Sequence, residues 1–339
     1  MIVRIDIETF FSHDDVTLNA LTKIIEGAIS NRFLLFPEDI YEFLDKIEES
    51  YWFTDFLSSQ KQKEFFETLK IIIHKTGYIT QMHTCYLTSI TIGLKDNMIN
   101  PIDASVFLME RSKVIVENST NDWKFIKGIA EKYRNHKKRK SIYSILFDAI
   151  ENDLIEPEHA GGKGEINKRI RGLIVRFGEN YKLKLGTVFD SDRNSKDDKC
   201  SDVQRLLIEE LTHAKIVEPF VSFTYKNGDL VVWHMLYKRE IENYLPIQVL
   251  GKEIKMEGDF YERFAKKTIE ELDYCKFADE FKGIDTKNEF PELFLKTYWR
   301  KDELERRCDH HRCKIELPNG TLEEVSEIEV LLLNISKIV

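Results

Sequence analysis

The sequence lacks the features that mark exported, membrane-spanning or nucleotide-hydrolysing chains. Its five cysteines are an odd number among 339 residues, which argues for free thiols rather than a disulfide framework. No apolar run approaches the length of a membrane-spanning helix, and the first residues do not have the basic-then-apolar form of a signal peptide. The Gly-x-x-x-x-Gly-Lys-Ser/Thr phosphate loop is also absent. We therefore expect a cytoplasmic protein with no membrane segment.

The charge of the chain is unevenly spread. Hydrophobic residues make up 42% and charged residues 32%, as in globular proteins, and the net charge is −9. Residues 111–184 nevertheless carry 17 Lys and Arg against 10 Asp and Glu, whereas residues 1–110 carry 9 against 17. A local basic field would favour a phosphodiester substrate. The basic run at residues 137–140 could equally be the solvated end of a helix.

The apolar patterns divide the chain into three parts. Residues 1–108 are predicted to form a mainly helical N-terminal domain that begins with a short strand at residues 2–7. Over residues 109–250 strands alternate with helices, which indicates parallel pairing in an α/β sheet. An Asn-Gly turn predicts a hairpin between residues 221–225 and 230–237. Residues 251–339 are interpreted as a helical C-terminal extension with a turn and a final amphipathic element.

Carboxylates stand at the ends of predicted strands in the middle part. Glu117 follows one apolar run, and Asp190 and Asp192 follow another. The carboxyl ends of parallel strands form the edge where ligands and catalytic groups collect. Because side chains alternate along a strand, Asp190 and Asp192 can point to the same side. Two such carboxylates repel each other unless a cation lies between them, and hard oxygen ligands suit Mg²⁺ or Mn²⁺.

With these residues the chain resembles the Toprim domain, the α/β metal-binding fold of topoisomerases, bacterial primases and nucleases of the overcoming-lysogenization-defect type. In that family a Glu ends one strand and an Asp-x-Asp ends a later one, positions that Glu117 and the Asp190/Asp192 pair match. Asn118 stands where the family usually has Gly, and whether Asp122 fills the family's next Asp position stays open. The likeness covers residues 111–250.

The resemblance is nearest to the Toprim-like effector nucleases of bacterial anti-phage systems. In those proteins a Gly-Gly-Lys step and a Glu-Asn-Tyr-Leu-type segment flank the Asp pair. The matching segments here are residues 161–163, which include Lys163, and residues 242–245, which begin with Glu242. The resemblance implies a Toprim-like domain with a parallel sheet core, flanked by mainly helical N-terminal and C-terminal regions.

The roles expected of these residues are those of a Mg²⁺- or Mn²⁺-dependent nuclease. Glu117 would act as general acid/base or as a metal ligand, and Asp190 and Asp192 would hold one or two ions. Glu242 would complete the coordination sphere. Lys163 follows two glycines that allow close approach of a phosphate, so it would neutralise a non-bridging oxygen.

The same resemblance suggests a biological setting. Such effectors are toxins that a partner, often an ATPase, holds inactive until infection. Since this chain has no phosphate loop, a regulatory ATPase would be a separate protein. We expect a nucleic-acid substrate and a homo-oligomer, most simply a dimer. Two other classes stay open: a non-catalytic nucleic-acid-binding Toprim module, and a primase-like nucleotidyl transferase, which would lack an evident zinc ribbon for its template.

Some polar residues have both a functional and a structural interpretation. Glu242 could be an ordinary carboxylate at a helix N-terminus, with Glu240 as a weaker alternative ligand. Arg193 could contact a phosphate or pair with one of the aspartates beside it. His159 could contact the substrate or be a plain loop histidine.

Two further groups resemble metal sites only at first sight. In the first group, four candidate zinc ligands lie within six residues: Cys308, His310, His311 and Cys313. Structural zinc sites normally use two separated pairs of ligands, so a polar turn is a simpler interpretation of this group than a zinc site. Asp6 and Glu8 share one face of the first predicted strand, where a solvated face is the simpler interpretation.

Overall fold

The computed structural model describes residues 1–83, 86–216, 224–255, 259–317 and 319–339, with the side chains of residues 80–83 left undescribed. Two parallel sheets and helices at both ends of the chain make up these residues, which confirms the coarse prediction of an α/β fold with a parallel sheet core. In the described ranges no helix combines the length and apolar character needed to cross a membrane.

The N-terminal part is a three-stranded parallel sheet covered by helices. The strands are β1 (Ile2–Ile5), β2 (Leu34–Leu35) and β3 (Ser89–Ile92), in the order β2-β1-β3. The sequence pattern predicted only the first of these strands. The helices are α1 (Asp15–Ile29), α2 (Ile40–Glu49), α3 (Ser59–His83) and α4 (Pro101–Phe107).

The central part is a four-stranded sheet in which every strand is parallel to its neighbours. The strands are β4 (Ser112–Val116), β5 (Ile155–His159), β6 (Leu185–Phe189) and β7 (Val232–Met235). Their order is β5-β4-β6-β7. Val116 lies beside His159, and Phe189 lies beside Met235, so the strands end close together at one edge. That edge carries the candidate site.

Helices cover both faces of this sheet. They are α5 (Asn121–Tyr133), α6 (Lys140–Glu151), α7 (Ile166–Phe177) and α8 (Asp202–Thr212). Side chains alternate along β4, so Val114 and Val116 share a core with α5 and α6, whereas Ile115 shares one with α7, α8 and the N-terminal part. Because both faces of the central strands are buried, β6 and the second half of β4 are continuous runs without a charged residue, whereas the edge strand β5 carries Glu156 and Glu158.

The hairpin predicted after α8 lies partly outside the described residues, since residues 217–223 are not described. What is described agrees with antiparallel pairing: Thr224 bridges to His234, and Tyr225 N–H donates to the Trp233 carbonyl over 2.9 Å. Gly228 at the turn has a φ of 105°, a conformation that glycine adopts without strain.

In its described residues, the chain after β7 forms a 3₁₀ helix, six short α-helices, a hairpin and a last α-helix. The helices are α9 (Ile247–Glu253), α10 (Phe260–Ala265), α11 (Ile269–Tyr274), α12 (Phe277–Glu280), α13 (Thr286–Phe294) and α14 (Lys301–Cys308). The hairpin and last helix are β8 (Arg312–Glu316), β9 (Leu322–Ser326) and α15 (Glu327–Ser336).

The last helix corrects one expectation. All ten residues of α15 are buried, so it is not the amphipathic surface element that the sequence suggested. It packs against β7 and α6 and completes the core on the Val114 face of the sheet. The packing of the four-stranded sheet therefore depends on residues far beyond β7.

Candidate functional site

The carboxyl ends of β4, β5 and β6, together with residues 241–242, surround a cavity of about 370 Å³. Four carboxylates line it, and so does the ammonium-bearing side chain of α13. These are Glu117, Asp122, Asp190, Glu242 and Lys287. The structure thus brings together Glu117, Asp190 and Glu242, three of the residues expected at the site, although they are far apart in sequence. We call this space the carboxylate cavity.

The turn after β4 places Asp122 in the cavity. The side-chain oxygen of Asn118 accepts hydrogen bonds from Thr120 N–H (3.0 Å) and Asn121 N–H (3.1 Å), and Asn118 N–H donates to Asp122 Oδ2 over 2.8 Å. Loss of hydration on burial, with the Glu117 carboxylate adding to it, raises the pKa of Asp122 to about 6.

The two aspartates after β6 have different surroundings. The strand ends at Phe189, so the alternation of strand side chains does not govern them. Gln204 Nε2 donates to the backbone carbonyl of Asp190 over 3.1 Å, and this holds the residue so that its carboxylate lines the cavity. Burial, and after it the charges of Asp122 and Glu242, raise the pKa of Asp190 well above its ordinary value. Asp192 has a φ of 52°, and its half-exposed side chain lies outside the cavity lining, paired with Lys163.

Glu242 is the most buried of the carboxylates. It lies in a short 3₁₀ helix, Ile241–Tyr244, and is 1% exposed. Its Oε2 accepts no hydrogen bond from the described residues, and Oε1 is 3.7 Å from Lys287 Nζ. Burial raises its pKa to about 7. A solvated helix-end carboxylate would not have this environment. Glu240 is also buried, and its Oε2 lies 3.1 Å from the same ammonium.

Two lysines neutralise part of this negative charge. Gly161 and Gly162 have φ angles of 82° and 133°, and this left-handed step turns Lys163 back over the sheet edge, 3.3 Å from Glu117 Oε1. Burial alone would lower the pKa of Lys163, but Glu117, Asp190 and Asp192 raise it. Burial likewise lowers the pKa of Lys287, but the charges of Glu242 and Asp190 raise it by more, so the pKa lies above its ordinary value. Both lysines are therefore positively charged at neutral pH.

The oxygen donors of the cavity are of the type that a hard cation prefers, but they do not converge on one point. Across the described parts of the chain, no three His, Cys, Asp or Glu side chains are placed so that they could hold a metal ion. The cavity does supply carboxylate oxygens, and two of them, Glu117 Oε1 and Glu242 Oε2, are buried without a hydrogen bond from the described residues. Binding of Mg²⁺ would require these side chains to turn toward one point and an ammonium to withdraw.

Known proteins give no guide to the site. No family model, curated protein or solved structure matches this chain. The Toprim resemblance therefore rests on the residues of the sequence alone.

Three other residues with open interpretations have structural partners. The Arg193 guanidinium donates to the Tyr237 carbonyl over 2.6 Å and lies over the rings of Tyr237 and Tyr274, which ties the loop after β6 to the loop after β7. In the basic run, Arg139 is buried and paired with Glu329 of α15 at 2.7 Å. Asp6 lies 3.0 Å from Lys95.

The cysteine-histidine cluster is engaged in packing. His310 pairs with Asp273, and the His311 ring stacks on Tyr237 with 3.4 Å between ring centroids. Burial raises the pKa of the Cys308 and Cys313 thiols to about 12, so both are protonated at neutral pH. Protonated thiols are poor ligands and poor nucleophiles.

Sequence reasoning missed one residue of the cavity and left another undecided. Lys287 follows the first residue of α13, in a segment with no motif, and no local pattern singles it out. The contact that brings it in is tertiary: Asn121 Nδ2 donates to the Lys287 carbonyl over 2.7 Å. Asp122, whose place in the family pattern was open, lines the cavity.

Proposed function

We propose that this protein is a Mg²⁺- or Mn²⁺-dependent nuclease that hydrolyses phosphodiester bonds in nucleic acid. The observation that carries the proposal is the carboxylate cavity at the carboxyl edge of the sheet. Gathering several carboxylates in a poorly hydrated place costs stability, and such perturbed groups cluster at functional sites. Phosphodiester chemistry uses acidic metal ligands next to cationic groups, and both are present.

The proposed division of labour follows the positions of the side chains. Glu117, Asp190 and Glu242 would hold the ion, with Asp122 in the same cavity. Asp192, which lies outside the cavity lining and pairs with Lys163, would join them only after it leaves that lysine. A bound Mg²⁺ would supply a polarised water molecule and positive charge at the scissile phosphate. Lys163, next to Glu117 and Asp192, would contact a non-bridging phosphate oxygen. Burial raises the pKa of Glu117 above its ordinary value, the direction that favours a group which takes up and returns a proton.

We also propose that the nuclease is a toxic effector controlled by an ATPase partner. This proposal rests on the Toprim resemblance and is tested by the growth of cells that express the protein.

One observation favours a second function, nucleic-acid binding without catalysis. Lys163 and Lys287 already neutralise carboxylates of the cavity, and the described residues offer no preformed metal group. A binding module would hold nucleic acid in the presence of a chelator and would show no turnover when Mg²⁺ is added.

The deciding experiment compares the wild type with Glu117→Ala, Asp190→Ala and the control Asp197→Ala, which removes an exposed carboxylate from a nearby loop. Labelled single-stranded RNA, tRNA and DNA are incubated with Mg²⁺ or EDTA, and thermal unfolding verifies that each variant is folded. We expect both cavity variants to lose at least about 100-fold in cleavage rate and growth inhibition to disappear with it, while the control keeps both.

Two outcomes would change the conclusion. Wild-type cleavage by both cavity variants would show that the site is elsewhere. Tight binding in EDTA, with no cleavage by the wild type in Mg²⁺ or Mn²⁺, would support the binding module instead.

A further inference from the structure

A larger cavity, about 740 Å³, lies beside the carboxylate cavity on the outer side of the four-stranded sheet. Residues of β4 and β5 form its floor and α7 forms one wall. Since α7 connects β5 to the parallel strand β6, it runs antiparallel to the floor. His159 lines both cavities, so the larger one, which we call the α7 groove, adjoins the carboxylate cavity at that residue.

The lining of the α7 groove is mainly polar and has an excess of positive charge. Six cationic side chains stand against four glutamates, an excess of two. The cations are Arg32, Arg111, Lys113, Lys168, Arg169 and Arg176.

Two of the four glutamates, Glu156 and Glu158, lie on the floor of the groove. Lys113 Nζ lies 2.7 Å from both, so much of their negative charge is neutralised within the sheet. On the α7 wall, Lys168 is 74% exposed and lies 2.7 Å from Glu165, and Arg176 is exposed at the far end. The excess positive charge therefore reaches solvent at the Arg176 end, whereas Lys168 shares its charge with Glu165.

The size and shape of the groove favour an unpaired strand. Its floor spans the five residues of β5, about 16 Å of extended chain. His159 lies beside the carboxylate cavity, and Phe177 lies at the other end with the Arg176 guanidinium over its ring. A positively charged groove that follows the backbone is part of the usual design for binding single-stranded nucleic acid. A duplex is too wide to enter a cavity of this volume.

The edge strand also argues against another occupant. A peptide could extend the sheet by pairing with β5, but Pro157 at the centre of that strand has no N–H to donate.

We propose that the α7 groove holds the phosphodiester backbone of single-stranded nucleic acid and leads it past His159 into the carboxylate cavity. This inference rests on the proposed function and gives it a substrate class and a direction. Arg176 contacts a phosphate, and Lys168 contacts another by exchanging Glu165 for it.

The test measures binding in EDTA, where catalysis plays no part. Full-length wild type is compared with Lys168→Glu/Arg176→Glu and with the control Arg171→Glu/Lys182→Glu, which makes the same charge change. Arg171 is on α7 but outside the groove lining, and Lys182 lies beyond the helix. Fluorescent oligonucleotides, single-stranded RNA, single-stranded DNA and duplexes of the same sequence, are titrated at several salt concentrations.

We expect the groove variant to lose at least roughly tenfold in single-strand affinity and about 1.4 in the slope of log K against log salt, since two phosphate contacts disappear. The control should lose less than about threefold. Equal losses in the two variants, equal affinity of wild type for duplex, or no measurable binding would each overturn the proposal.

The two proposals can fail separately. If wild type binds single strands through the groove but never cleaves them, the groove stands and the nuclease does not. If cleavage requires Glu117 and Asp190 while the groove variant binds and cleaves as wild type does, the groove proposal alone is wrong.

Discussion

Glu242 shows what the candidate site costs the protein. Its carboxylate is almost completely buried, and the Lys287 ammonium, 3.7 Å away, belongs to a side chain that is half exposed. Burial raises its pKa from 4.5 to about 7. The folded protein therefore holds a proton on Glu242 that the unfolded chain releases more readily. Stability from this residue is fully present below about pH 4.5 and is lost as the pH rises through about 7.

Because the ionised form of Glu242 destabilises the folded protein, a neutral residue in its place should stabilise it. At pH 8 in EDTA, Glu242→Gln should raise the free energy of unfolding by on the order of 2 kcal/mol, because a neutral amide replaces a buried charge. At pH 4.5 the gain should vanish. Urea unfolding at the two pH values measures the difference, with Glu289→Gln, an exposed carboxylate on α13, as control. A gain that is independent of pH would contradict the burial of an ionised Glu242.

Individual residues of the site were predictable where local sequence and strand geometry coincide. Glu117 and Asp190 each follow an apolar strand, and parallel strands bring their carboxyl ends together. Lys287 could not be found in this way, because only the packing of α13 on α5 brings it to the cavity. Asp192 is predictable as a neighbour of Lys163 only once its left-handed backbone is known.

The contact between α5 and α13 is unusually close. A Cβ atom at Gly128 of α5 would lie 2.5 Å from the carbonyl oxygen of Phe294, backbone that cannot move aside without shifting the helix. In contrast, a Cβ at Gly172 of α7 would have no heavy atom within 4 Å. A side chain at Gly128 therefore has no room, whereas a side chain at Gly172 would extend into open space.

The same substitution should act in opposite directions at these two positions. Gly128→Ala should lower the free energy of unfolding by about 1–3 kcal/mol through overpacking. Gly172→Ala should raise it by about 0.5–1 kcal/mol, since alanine loses less backbone entropy in a helix. Chemical unfolding of both variants tests this. Similar destabilisation by both variants would contradict the difference in available space at the two glycines.

Helices and strands were predicted well where one period dominates. The apolar pattern of residues 165–177 predicts a helix, observed as α7 (Ile166–Phe177), and that of residues 113–116 predicts a strand, observed as β4 (Ser112–Val116). Residues 183–189 also have a strand pattern, but β6 begins at Leu185 because residues 179–184 form a 3₁₀ helix. The final amphipathic element is observed as α15, but all ten of its residues are buried, so periodicity did not show that its polar side chains lie inside the fold.

The two sheets of the molecule share one hydrophobic core. Side chains of β1 and α1 belong to the same cluster as Ile115 of β4. Lys184 is buried where these parts meet, and its Nζ donates to the Glu110 carbonyl over 2.5 Å. Burial, with Arg32 adding to it, lowers the pKa of this amine to about 7. Charge patterns in the sequence could not reveal it, since Lys184 is one of many lysines in a basic segment.

Lys184 should make the whole protein more stable in mild alkali. Its pKa is lowered from 10.5 to about 7, so the penalty of a buried ammonium is complete below pH 7 and is relieved as the pH rises toward 10.5. Relative to Lys184→Met, the wild type should gain at least about 1 kcal/mol between pH 7 and pH 10. Urea unfolding at pH 7, 8.5 and 10 measures the gain, and Lys182→Met serves as the exposed control. A constant difference across this range would show that Lys184 is hydrated.

The burial of α15 against β7 and α6 also sets the order of events during synthesis. A ribosome delivers β4 to β7 long before residues 327–336, and domains generally fold in the order in which they emerge. One face of the sheet stays open until that helix arrives. The nascent polypeptide consequently carries its acidic edge in an unfinished scaffold, and the sheet that bears this edge is covered on both faces only after translation has passed α15.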